Sequence, residues 1–188
     1  MSSHHVIREG QEPAVYLRNT NSIYLEALFN LLEWSPYLIV NDETYEFTKI
    51  HQLKVDAIIS QKLVYQEPNV HIIDSSEDSN DIQLLEKWIK KKNCDLVEIF
   101  DTIENITLDI SLDHSIGIID SKIKYSYVRN SFEKWFPKFQ KLKIRSTTKN
   151  QDFNFENIQI DGQTFNVIAE GLAKISSNSP FYIGEFLE

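Results

Sequence analysis

Glu77, Asp78 and Asp81 crowd together just past the apolar run VHIID and immediately before a helical pattern. Three apart at a helix start, Asp78 and Asp81 share a face. A magnesium ion carrying nucleotide phosphates needs only one or two protein carboxylates, because water and phosphate oxygens complete its octahedron. The same placement also serves a plain structural role: acidic side chains favour helix N-termini, and Asn80 or Asp78 is a natural N-cap. On spacing alone the structural role is the simpler of the two. A second candidate follows the run VDAIIS, where a parallel strand would present its turn at the ligand-binding edge of a sheet. That turn reads Ser60-Gln61-Lys62, with no carboxylate and no glycine. Gln61 is a neutral, weak ligand for a hard cation, and Lys62 reaches either a phosphate or solvent.

Other reactive side chains offer less. His51, His71 and His114 show no metal-ligand spacing with one another or with Cys94, and His4 and His5 belong to a polar opening segment. No serine or cysteine stands in a nucleophile-elbow context. Cys94, in KKNCDLVEIF, reads as a small structural residue. Trp135, in SFEKWFPKF, offers a flat face to a ligand, although an aromatic in a β-rich region is more often core.

The elements that must position these residues change character along the chain. PAVYLRN, YLIV, VDAIIS, VHIID and LVEIF are short apolar strands. Between them, TNSIYLEALFNLLEWSP places Ile23, Ala27, Leu28, Leu31 and Leu32 at helical spacing, with Asn21 or Ser22 as N-cap and Pro36 as the stop. DETYEFTKIHQ is a short helix candidate. The strongest helix is SSEDSNDIQLLEKWIKKKN, where Ile82, Leu85, Trp88 and Ile89 share a face and three lysines close the C-terminal end. This alternation predicts a mostly parallel α/β sheet. After about residue 115, SIGIID, KIKYSYVR, KLKIRST, FNFENIQI, TFNVIAE, LAKIS and FYIGEF are all strand-like, which predicts a small antiparallel sandwich or barrel. The expected division is an α/β domain over 1–115 and a β-sandwich domain over 116–188.

Composition narrows the function classes. The chain has 188 residues, 41% apolar and 12% aromatic, enough for a folded core. Its net charge of −9 is uneven: residues 1–115 carry 9 Lys/Arg against 20 Asp/Glu, and 116–188 carry 10 against 8. An acidic first half repels a nucleic-acid backbone. The basic run Lys134, Lys138, Lys141, Lys143, Arg145 and Lys149 reads first as a solvated strand face. No apolar run is long enough to span a membrane, no export signal opens the chain, and one cysteine suits a reducing cytoplasm. None of the five glycines lies between Gln11 and Ile116, so no glycine-rich phosphate loop can be drawn in the α/β half.

The order of parts, and the segments SSHHVIREGQEPAV, LLEWSPYLIV, LKVDAII, FEKWF and EGLAKIS, resemble the thiamine pyrophosphokinase family, in one of its bacterial branches. The resemblance implies a homodimer with ATP and magnesium on the α/β half and thiamine against the β half, transferring a diphosphate to thiamine with release of AMP. It also implies roles for particular residues. The Asp-Gly pair after the second strand becomes NDETY, which keeps Asp42 but has Glu43 for glycine. The Gly-Asp-x-Asp motif becomes SQKLV, with Ser60 for glycine, Gln61 for one aspartate and Leu63 for the other. The Asp-x-Thr-Asp motif becomes DSND, retaining Asp78 and Asp81 as metal ligands. The Gly-x-Arg-x-Asp-His motif has no counterpart in DTIENITLDISL. In the β half the substrate-binding Ser-Asn corresponds to Thr164-Phe165, with Asn166 next to it.

These matches and losses assign Asp42, Asp78 and Asp81 to catalysis, Gln61 and Lys62 to the cofactor, and Thr164 and Asn166 to the substrate. They predict an impaired or inactive relative that still binds thiamine or a related small molecule. Two alternatives stand beside it: an active kinase with a metal site rebuilt from Asp42, Asp78 and Asp81, and a non-catalytic dimeric interaction protein.

Overall fold

Short, unbroken apolar runs suit strands covered on both faces, as parallel strands flanked by helices are. The computed structural model describes residues 13–61, 68–75, 80–106, 115–162 and 164–187. The chain divides into two compact units, Met1–Ser121 and Lys122–Glu188.

In the first unit, strands β1 (Ala14–Leu17), β2 (Tyr37–Asn41), β3 (Ala57–Ser60), β4 (His71–Asp74), β5 (Leu96–Phe100) and β6 (Ser115–Asp120) are parallel. Their spatial order is β4-β3-β2-β1-β5-β6. The chain thus walks outward from β1 to β4 and then returns to the other side of β1. All four residues of β1 are buried, as are Leu38, Ile39, Val40, Ile58 and Ile99. SIGIID, expected in the antiparallel half, is β6 and runs parallel to β5.

Three helices are formed among the described residues: α1 (Leu25–Leu32), α2 (Asp42–Ile50) and α3 (Asp81–Lys92). The N-cap expected for α1 differs. Asn19, not Asn21 or Ser22, accepts from Asn21 N and closes a separate 3-10 turn over Thr20–Ser22. Ile23 is extended there, so α1 begins after Tyr24, which provides no side-chain cap. In α3, Asn80 caps through Ile82 N at 3.0 Å, and Leu85, Trp88 and Ile89 are buried as the periodicity requires. Asn93, left-handed at φ 57°, ends that helix. Asparagine recurs in this role: Asn69, Asn150 and Asn157 also take positive φ, doing what glycine does in chains richer in it.

The second unit is a small β-sandwich. One sheet has the order β11-β12-β9-β14-β7, built from β7 (Ile123–Val128), β9 (Lys141–Ser146), β11 (Ile158–Asp161), β12 (Thr164–Val167) and β14 (Phe181–Phe186). The other is β10-β13-β8, from β8 (Ser131–Phe136), β10 (Phe153–Glu156) and β13 (Gly171–Ser177). Neighbouring strands pair antiparallel. FNFENIQI is two strands in different sheets rather than one. Asn157, at φ 61°, turns the chain between them and anchors the corner through Ala169 O, Ala169 N and Leu172 O. Phe136, Leu142, Val167, Ile175, Phe181 and Ile183 form the core, and Phe153 meets Phe181 edge-on at 5.3 Å. Trp135 is not core: it is 54% exposed on β8, directly opposite Leu172 of β13, which is exposed as well.

Candidate functional site

In an open parallel sheet the ligand crevice opens where strand order reverses, outside the carboxyl ends of the strands. Here the reversal falls between β1 and β5. Leu17 is in register with Phe100, so the next residues of the two strands, Arg18 and Asp101, leave the sheet side by side. Arg18 N and Asn19 N both donate to Phe100 O, which fixes this junction. Arg18 Nη1 donates to Asp101 Oδ2, and Asp101 is only 1% exposed.

The other arm of Arg18 reaches α3. Its Nε donates to Asp81 Oδ2 at 2.6 Å and its Nη2 to Asp81 Oδ1 at 3.2 Å, a two-pronged pair of the kind a planar guanidinium makes best. Tyr16, next along β1 on the same face, donates its hydroxyl to Asp81 Oδ2 at 3.0 Å. The backbone N–H of Ile82 donates to Asp81 Oδ1 at 3.0 Å. Asp101 is held in turn by Thr102 N at 2.7 Å and Asn105 Nδ2 at 3.1 Å. Burial alone would lower the Arg18 pKa, but Asp81 and then Asp101 outweigh it, and the guanidinium stays charged beyond its ordinary range. Burial, reinforced by Asp81, raises the Tyr16 phenol well above its ordinary value, so it remains a donor.

The neighbouring strand is fastened to the same place. Asn41 and Thr44 form a reciprocal capping pair at the start of α2, with Thr44 N on Asn41 Oδ1 and Asn41 N on Thr44 Oγ1. Asn41 Nδ2 donates to Arg18 O at 2.9 Å, and Thr44 Oγ1 to Leu17 O at 2.6 Å. The end of β1, and with it Arg18, is therefore pinned by the cap of α2, which follows α1 and β2 in the chain.

Around this cluster opens a cleft of about 570 Å³, within the range of small-molecule sites. Asp42, Gln61 and Asp81 all line it, together with Glu43, Glu86 and Arg18. Asp42 accepts a hydrogen bond from Ser60 Oγ at 2.7 Å, so the residue at the end of β3 supports the one at the start of α2. A second hollow of about 440 Å³ shares Arg18, Asn41 and Asp81 and reaches Asp101.

Of the residues singled out in the sequence, Asp42, Gln61 and Asp81 are thus brought to one cleft. Asp78 and Lys62 lie outside the described residues. Thr164 and Asn166 are on β12 of the second unit, half-buried, facing Asp161 and Gln159 across a hairpin. Sequence reasoning missed Tyr16, Arg18, Asp101 and Asn105. The signal was available for two of them: Arg18 and Asp101 are the first charged residues after the apolar runs AVYL and LVEIF.

A hard cation needs carboxylate oxygens with lone pairs to spare. An ionised carboxylate has about four acceptor positions, and Asp81 already takes Tyr16 Oη, two nitrogens of Arg18 and Ile82 N. Gln61 brings no charge, and no set of three metal-ligating side chains is assembled among the described residues. The described residues do not fit a magnesium ion.

No protein-family model and no curated protein sequence matches the chain. Solved structures do. Thiamine pyrophosphokinase from Bacillus subtilis superimposes with a TM-score of 0.63 at 9% identity, covering 94% of this chain and 100% of the other. The enzyme from Geobacillus thermodenitrificans gives 0.68 at 8% identity, with 95% and 98% covered. That from Candida albicans gives 0.67 at 10% identity, with 95% and 90% covered. Across nearly its whole length, this chain has the thiamine pyrophosphokinase fold.

Proposed function

We propose that this chain is a small-molecule-binding protein on the thiamine pyrophosphokinase fold in which diphosphate transfer is impaired or lost. The observation that carries the reading is the engagement of Asp81. It is the one described carboxylate of the pair expected to hold metal, and Arg18 and Tyr16 occupy it instead. Phosphoryl-type transfer depends on positioned cations that neutralise charge on the transferred group. Gln61 and the missing glycines remove further parts of such a site. The cleft itself persists, with a volume suited to a small ligand. Among the described residues its lining sets Asp42, Glu43, Asp81 and Glu86 against Arg18 alone, an acidic balance that repels a bare polyphosphate and favours a thiamine-like cation.

Two measurements test this. Incubated with thiamine, ATP and magnesium, the protein is expected to form no thiamine diphosphate while an active kinase beside it does; product at a comparable rate would overturn the loss of transfer. Thermal melts with millimolar thiamine are expected to shift upward, growing as RT ln(1 + [L]/Kd). Melts unmoved by thiamine, thiamine diphosphate and ATP would overturn ligand binding. They would favour a dimeric interaction protein instead, a reading for which the exposed pair Trp135 and Leu172 speaks. A solution mass at the 22.0 kDa of one chain would count against that second reading.

A further inference from the structure

We propose that Arg18 is the cleft's resident cation: it bridges Asp81 and Asp101 in the way a divalent metal would, and its removal uncovers a divalent-cation site. This deepens the reading above and rests on the same cleft, but it concerns ion occupancy rather than turnover.

The geometry supplies the argument. Two carboxylates from different elements, one at the start of α3 and one past β5, converge on a single positive group at 2.6 Å and 2.5 Å. Such convergence is how proteins build divalent sites, because like charges so close are tolerated only with a cation between them. A guanidinium delivers one positive charge and a fixed planar fork, and being part of the chain it cannot leave or exchange as a metal ion does. Arg18 is not free to swing away. Its carbonyl is held by Asn41 Nδ2, its amide by Phe100 O, and its side chain is three-quarters buried. Tyr16 Oη and Ile82 N donate to the same two oxygens of Asp81 that Arg18 holds, and Thr102 N and Asn105 Nδ2 donate to Oδ1 of Asp101. The result is a cluster in which two carboxylates share one built-in positive charge, whose presence does not depend on the metal in solution. Any ligand recognised here is recognised without a bridging metal on Asp81.

The readout is Asp81-dependent Mn2+ binding, followed by the loss of the free-ion signal in electron paramagnetic resonance on the full chain. It is defined as the difference between a protein carrying Asp81 and its Asp81→Asn counterpart, so that ions held elsewhere cancel. For the wild type the expected difference is zero. Arg18→Ala is expected to bind one Mn2+ with a Kd below about 1 mM, the weak end of carboxylate sites, and Arg18→Ala/Asp81→Asn is expected to lose it. Asp101 keeps its Thr102 and Asn105 donors in these variants, which favours folding. Should Arg18→Ala nevertheless not fold, Arg18→Gln retains a donor toward Asp81 while removing the charge, and the same gain is expected. Asp81-dependent binding in the wild type, or its absence in a folded Arg18 variant, would overturn the inference. Neither result depends on whether thiamine binds or reacts.

Discussion

The two units of this chain solve the problem of satisfying buried groups in opposite ways. The first concentrates its polar side chains at one edge. Tyr16, Arg18, Asn41, Asp81 and Asp101 all leave the carboxyl ends of parallel strands or the start of a helix, and they saturate one another. The second unit has a core of aliphatic and aromatic side chains from two antiparallel sheets, with its charged residues on the outside. Of its exposed apolar side chains, which also include Phe139, Ile160 and Ile168, Trp135 and Leu172 form a cross-strand pair. The difference teaches where chemistry can reside. A parallel sheet must put its loops together at one end, so polar groups distant in sequence become neighbours there. A sandwich alternates inward and outward residues along every strand, so its polar groups are spread over the surface.

That contrast is broken most severely from the sandwich side. Phe181→Ala removes a fully buried ring that Phe153 packs against, and the expected loss is about 3–5 kcal/mol, read by urea unfolding. A loss under about 1 kcal/mol would mean that the apolar core does not hold this unit together. The first unit is expected to respond to a polar change instead. Asn41→Ala deletes the α2 cap and the bond to Arg18 O, with an expected loss of about 0.5–2 kcal/mol in the same assay. A melt indistinguishable from wild type would show that the strand ends hold their positions without the cap.

The smallest effect is a pH dependence. Burial, then the neighbouring Tyr127, raises the Tyr182 phenol from 10.0 to about 12, with Arg145 opposing. A phenol raised in the folded state favours the protonated form there. Its contribution to stability is fully present below pH 10 and is lost as pH climbs toward 12. Tyr182→Phe is therefore expected to melt with a shallower decline over that window, and parallel curves for the two proteins would count against it.

Much of the architecture was legible from one-dimensional patterns. The runs AVYL, YLIV, AIIS, HIID and LVEIF announced strands because each is too short and too apolar for a surface helix. The face Leu85-Trp88-Ile89 announced α3 through its 3.6-residue period. Where reading failed, a tertiary contact outweighed a local signal. SIGIID looks the same as an antiparallel or a parallel strand until β5 pairs with it. FNFENIQI reads as one strand because nothing local reveals that Asn157 will bond to Ala169 and Leu172 and turn the corner.

The site divides along the same line. The sequence by itself determined the supply of groups: carboxylates at Asp42 and Asp81, a neutral Gln61 where a metal ligand was expected, and no glycine to cradle a phosphate. Residue type sets what an atom can donate or accept, and no fold changes that. Only the tertiary structure decided which groups meet. Arg18 is 63 residues from Asp81 and 83 from Asp101, and nothing in local spacing joins them. The in-register pairing of β1 with β5, and the placing of α3 over the edge of β1, put one guanidinium between two carboxylates. Charge energies fall with distance and rise with burial, so that arrangement, and not the inventory of acidic residues, sets whether Asp81 is open to a metal or already taken.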